Sequence, residues 1–164
     1  MMNEEIQYRT APVPLSAEPI NQRAKDGAGL VLSGYAAVFN ETTSLGRFDE
    51  MVLPEAFREA DLSDVRFLVD HTGVPLGRTA SGTMQLEADA RGLRYVVSLP
   101  DTARGRELYE AVRRGDVSQS SFAFIIEKES WNETNGRLVR SIEKIQTVLD
   151  ASAVTFPAYE STSV

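Results

Sequence analysis

SFAFIIEKESW (residues 121–131) and RLVRSIEKI (137–145) read as two β-strands around the turn NETNG (132–136), and TVLDASAVTF (147–156) reads as a last strand stopped by Pro157. The rest of the chain is read outward from this β-rich end. Immediately upstream lies a helix. Asp101 or Thr102 can cap its start, Leu108, Ala111 and Val112 share one face, and Gly115 can end it. Before the helix, TMQLEAD (83–89) and LRYVVSL (93–99) form a hairpin joined by Ala-Arg-Gly, the first run alternating Met84, Leu86 and Ala88 on one face. RFLVD (66–70) is a short strand ending at His71, and GVPLG (73–77) breaks it. PEAFREA (54–60) predicts a short helix, with Pro54 at its first position. NETTSLGRFDE (40–50) is a loop, and LVLSGYAAVF (30–39) is a strand whose Gly34 marks a bulge or a close approach.

The tally is seven strands and two helices, with the helices interrupting hairpins instead of alternating with strands. That pattern argues against a doubly wound parallel sheet. It predicts a mostly β fold with some α, an antiparallel barrel of about seven strands with peripheral helices. The stretch APVPLSAEPINQRAKDGA (11–28) carries three prolines, small residues and mixed charge, so residues 1–28 are expected to be a flexible N-terminal segment and 29–164 one folded domain.

Composition narrows the chemistry. The 164 residues hold 17 Lys and Arg against 24 Asp and Glu, a net charge of −7. Such an acidic chain is a poor nucleic-acid binder, because neutralising phosphates takes clustered cations. It has no cysteine, which excludes disulfides, a thiolate nucleophile and Cys-based metal sites. A single histidine, His71, makes a catalytic zinc site improbable and leaves His71 as the natural acid–base group near neutral pH. No cofactor and no metal are expected. No apolar run reaches the length of a membrane span, and the start MMNEEIQYRT is too acidic and polar for a secretory signal, so a cytoplasmic protein is expected.

Three residues stand out. Ser121 opens a strand just after a glycine-ended helix and a short polar loop, in RRGDVSQSSFAF (113–124). His71 lies just past an apolar strand. Asp150 sits within the apolar run VLDASAV, where a carboxylate is costly unless it is paired or faces a cleft. Acyl transfer by serine needs those three types: a hydroxyl, a base for its proton, and a group that fixes the imidazole tautomer. Asp70 competes for the third role because it adjoins His71, although neighbouring residues on a strand point to opposite faces. Glu143 is a weaker competitor.

Taken in order, GYAAVFN (34–40), PEAF (54–57), DHTGVPLGRTASGTM (70–84), GLRYVVSLPDT (92–102), RRGDVSQSSFAF (113–124) and VLDASAVTFPAY (148–159) resemble the prohead maturation proteases of tailed bacteriophages. The resemblance implies a fold similar to the herpesvirus assemblins, a β-barrel ringed by helices. It places the catalytic histidine of the Asp-His pair on His71, and the nucleophile, the serine before Phe in Ser-Phe-x-Phe, on Ser121. The acidic position after the last Val-Leu pair falls on Asp150. The family often has Met before the nucleophile, where this chain has Ser120. Assemblins use a second histidine as third member, which a chain with one histidine lacks. Gly77 and Arg78 of PLGRT are candidate oxyanion-hole residues.

The implied role of residues 29–164 is that of a protease domain. It would act inside the procapsid, in the host cytoplasm, on a scaffold protein or on a scaffolding segment of the major capsid protein, and on itself. A homo-oligomer is compatible with the resemblance; direct nucleic-acid or membrane binding is not expected. Two other readings are a catalytically silent capsid-assembly module with the same barrel, and another serine hydrolase. The lack of a G-x-S-x-G elbow argues against the usual fold of the latter.

Overall fold

The computed structural model describes residues 4–19 and 29–156. Residues 20–28 and the expected strand stop at Pro157 lie outside the described residues. The elements are β1 (Ile6–Thr10), β2 (Ser16–Ala17), β3 (Val31–Val38), β4 (Thr43–Ser44), β5 (Asp49–Val52), β6 (Arg66–Val69), β7 (Thr72–Arg78), β8 (Met84–Ala88), β9 (Gly92–Ser98), α1 (Ala103–Arg114), β10 (Gln119–Thr134) and β11 (Arg137–Val154).

The β10–β11 ribbon organises the molecule. Asn135 and Gly136 both have positive φ, and Thr134 pairs with Arg137 across them, so the NETNG stretch closes as a tight two-residue hairpin turn. The two strands expected at 137–145 and 147–156 are one continuous strand. Ile126 pairs with Ile145 and Ile125 with Thr147, which leaves Gln146 as an extra residue; likewise Ala123 pairs with Asp150 and Phe124 with Val148, leaving Leu149. These β-bulges bend the ribbon without ending it, and they disturb the alternation that a sequence pattern relies on.

β11 carries different neighbours along its other edge. Val139–Ile142 pair with β5 and Asp150–Ala153 with β6, both in parallel, while β1 runs antiparallel along β10. The result is a seven-stranded sheet beside a four-stranded one ordered β2-β3-β9-β8. The two are linked by an isolated bridge between Phe39 and Val52. The hydrogen-bonded ladders do not close on themselves, so the expected barrel is replaced by two sheets around one core. That core includes Phe67, Tyr95, Phe122, Phe124, Ile142 and Ile145, all below 3% exposed. Phe122 and Phe124 stack at 4.3 Å.

The expected peripheral helices reduce to one among the described residues. In α1 the Thr102 side chain accepts the Gly105 amide, Gly115 closes the helix at φ 86°, and Leu108, Tyr109 and Val112 are buried. PEAFREA instead forms successive tight turns, with amide bonds from Ala56 to Leu53, Arg58 to Glu55 and Ala60 to Phe57. The Ala56 carbonyl accepts the Ile145 amide at 2.9 Å, and the Ala60 amide, which a helix would direct to Ala56, bonds Phe57 instead. Ala56 and Phe57 are nevertheless buried, as their apolar spacing suggested.

Two further expectations are corrected. GVPLG is not a strand break: it lies within β7, which pairs back on β6. Part of the segment expected to be flexible is built into the fold. β1 covers the edge of β10, Ala11 and Leu15 are buried, and Arg9 forms a two-pronged ion pair with the buried Glu50 at 2.6 and 2.8 Å. A carboxylate buried that deeply needs its cation, so Arg9 ties β1 to β5.

Candidate active site

Near its start β10 carries two consecutive serines that strand alternation sends to opposite faces. Ser120 is fully buried and its hydroxyl donates to the Tyr35 carbonyl at 3.3 Å. Ser121 faces the other way. It pairs with Ser152 on β11 and with Thr10 on β1, and Asp150, two residues before Ser152, lies on the same face. Ser118 is exposed in the preceding loop.

His71 reaches this face from a tight turn. Val69 pairs with Thr72, and the two residues between them, Asp70 and His71, both have positive φ (52° and 59°). Asp and His are among the side chains that tolerate this left-handed region best. The turn folds the imidazole back over the sheet, with its backbone N–H donating to the Ser152 hydroxyl at 3.1 Å.

The side chains form a line of short contacts. Asp150 Oδ1 lies 2.6 Å from His71 Nδ1, and Ser121 Oγ lies 2.9 Å from His71 Nε2. Ser152 Oγ donates to Asp150 Oδ1 at 2.9 Å. The ring of Tyr8, on β1, meets the imidazole in a T-shaped contact with centroids 4.8 Å apart. Nδ1 faces the Asp150 carboxylate while Nε2 faces the Ser121 hydroxyl. Such an array can take a proton from the hydroxyl and return it to a leaving group.

The competitors for the third position stand elsewhere. The Asp70 carboxylate accepts the Thr155 backbone N–H at 2.8 Å and the Thr155 hydroxyl at 2.7 Å, turned away from its neighbour's ring. Glu143 pairs with Lys128 at 3.0 Å, farther along the ribbon.

The structure does not bring Gly77 and Arg78 to this cluster. Gly77, on β7, pairs with Phe67 on β6, three strands across from Ser121 through β11 and β6. Strand spacing makes that about 14 Å, far beyond the ~3 Å reach of an oxyanion donor. Arg78 is already engaged, its amide with Thr83 Oγ1 at 2.8 Å and its guanidinium with Asp64 at 2.6 and 2.9 Å. Gly77 is glycine for packing reasons: a Cβ there would lie 2.3 Å from Val97 Cγ2.

Sequence reading missed two residues of the cluster. Ser152 was accessible in principle, since it lies two positions from Asp150 on one strand and therefore on one face. Tyr8 was not, because its place depends on β1 pairing with a strand more than a hundred residues away.

The model of one protein family, described as caudovirus prohead serine protease, matches residues 18–164. This chain belongs to that family. Among solved structures it is similar to the bacteriophage T4 capsid assembly protease, gp21, at 12% identity and a TM-score of 0.51, over 92% of this chain and 99% of that one. At that identity the likeness speaks to the fold alone. No curated protein matches the chain. Membership of this prohead protease family supports protease activity and a part in capsid maturation. Among the described residues no helix is long and apolar enough to cross a membrane.

Proposed function

We propose that this prohead protease is a serine endopeptidase with Ser121 as nucleophile, His71 as general base and acid, and Asp150 as the group that orients the imidazole. The observation that carries this reading is the unbroken line from Asp150 Oδ1 through both ring nitrogens of His71 to Ser121 Oγ.

The steps follow from that line. His71 Nε2 takes the hydroxyl proton as Ser121 Oγ bonds to the scissile carbonyl carbon. The resulting imidazolium is held by Asp150, which stays ionised. It passes its proton to the departing amine as the C–N bond breaks, leaving an acyl-enzyme. Water, deprotonated by the same imidazole, then attacks the acyl carbon, and the proton returns to Ser121 as the acid leaves.

The substrate is a scaffold protein or a scaffolding segment of the major capsid protein, together with the enzyme itself. The place of action is the procapsid interior within the host cytoplasm. Family membership supports this assignment, and the acidic charge of the chain, −7, fits a protein that acts on protein and not on nucleic acid. Neither a cofactor nor a metal enters the proposed steps.

The test is cleavage of a capsid-protein substrate by purified variants. Ser121→Ala should abolish cleavage, by several orders of magnitude, while its melting temperature stays near wild type. Ser120→Ala and Ser118→Ala should retain the activity of any enzyme that folds. Normal cleavage by Ser121→Ala would refute the assignment, and a fully folded wild type that cleaves nothing would favour a silent assembly module.

A further inference from the structure

We propose that Ser152 is a positioning residue for the His71–Asp150 pair, an inference that rests on the protease reading above. Ser152 is completely buried on β11, directly across from Ser121. A serine hydroxyl has one proton and two lone pairs to place. Here the proton goes to Asp150 Oδ1 at 2.9 Å, and a lone pair accepts the His71 backbone N–H at 3.1 Å. The same oxygen lies 3.3 Å from His71 Nδ1, farther than the 2.6 Å from Nδ1 to Asp150. The Nδ1 proton therefore belongs to the carboxylate, with the hydroxyl as flanking partner.

One atom thus holds both halves of the pair. Asp150 Oδ1 receives two donors, Ser152 and the imidazole, which together fix its rotation. The His71 amide is anchored at a residue whose backbone sits at φ 59°, a conformation that surrounding contacts have to maintain. The Ser152 hydroxyl is engaged by Asp150 and His71. Its effect reaches the reaction through the direction of the Nε2 lone pair, and catalysis is sensitive to misplacement on that scale. A bland alternative is that Ser152 is a small residue suited to a tight sheet. The two differ in what the hydroxyl itself does.

The chain has one histidine, so its imidazole signals need no assignment. The experiment compares wild type with Ser152→Ala, Ser152→Thr and Ser152→Val. It measures the 15N imidazole spectrum at alkaline pH, the rate of labelling by a fluorophosphonate, and the melting temperature. Thr and Val have nearly the same shape and differ in the hydroxyl, so any packing penalty is common to both.

Ser152→Ala and Ser152→Val should label about 10-fold or more slowly, with the spectrum moving from the single Nδ1-protonated tautomer toward a mixture. Ser152→Thr should recover most of the wild-type rate and spectrum. Wild-type rates and an unchanged spectrum in the Ala and Val variants would overturn the proposal, whatever the melting temperature does. If wild type is not labelled at Ser121 yet the spectrum still responds to Ser152→Ala, the protease reading falls while the positioning of the ring stands.

Discussion

Two consecutive non-glycine residues in the left-handed region are unusual, and at Asp70 and His71 they decide which carboxylate meets the imidazole. The turn sends the Asp70 side chain to Thr155 and the His71 ring to Asp150. Asp150→Asn should therefore lower kcat by at least about 100-fold, because an amide no longer enforces the Nδ1-protonated tautomer. Asp70→Asn should leave kcat within a few-fold and act mainly on stability. Steady-state kinetics on the pair separates them, and a larger loss in Asp70→Asn would reverse the assignment. This contact was partly legible in the sequence. The apolar setting of Asp150 announced a partner, and alternation argued against Asp70. The turn that makes the contact was hidden, because positive φ at Asp and His leaves no mark in a sequence pattern.

Among the elements, the β10–β11 ribbon was recognisable from its apolar runs and its Asn-Gly turn. Its true length was obscured by the bulges at Gln146 and Leu149, which made one strand look like two. β1 was missed for a different reason: a short strand that covers an edge depends on a distant partner for its order, and the proline-bearing stretch that follows it reads as linker. PEAFREA shows the reverse error, a helical pattern whose carbonyl is claimed by β11. Gly77, offered by sequence as an oxyanion donor, has instead a packing role between β6–β7 and β9. Gly77→Ala should destabilise the fold by about 1–3 kcal/mol, since the new methyl collides with the buried Val97. The labelling rate of the folded fraction should stay at wild type. Thermal melts and fluorophosphonate kinetics check both halves, and a selective loss of labelling without a loss of stability would restore Gly77 to the site.

At the scale of the whole molecule, two sheets share one core, and Tyr95 lies at its centre. Burial pushes its phenol far above the ordinary range, only partly countered by the nearby Ser120 hydroxyl. Its own hydroxyl makes no hydrogen bond of normal geometry. Because the folded state disfavours the phenolate, the unfolded chain loses this proton first. The stabilisation is complete below about pH 10 and is lost as pH rises above it. Tyr95→Phe should cost under about 1 kcal/mol at neutral pH, as no partner is orphaned, and should flatten this alkaline decline. Urea melts at neutral and alkaline pH test the sign, and an equally steep decline in the variant would contradict it. The mostly β character of the molecule was legible in its patterning. The parallel pairing of β5 and β6 with β11 was not, since it joins segments 90 and 84 residues apart, and the two sheets do not close into the expected barrel.

The central claim is that this face of the sheet makes Ser121 a nucleophile by way of His71. Its most direct measurement is the site of fluorophosphonate attachment, mapped by mass spectrometry on folded wild type and on His71→Ala. The account predicts one adduct, on Ser121, and at least about a 100-fold slower reaction in His71→Ala. An adduct on Ser118 or Ser120, or labelling of Ser121 that is indifferent to the loss of His71, would contradict it.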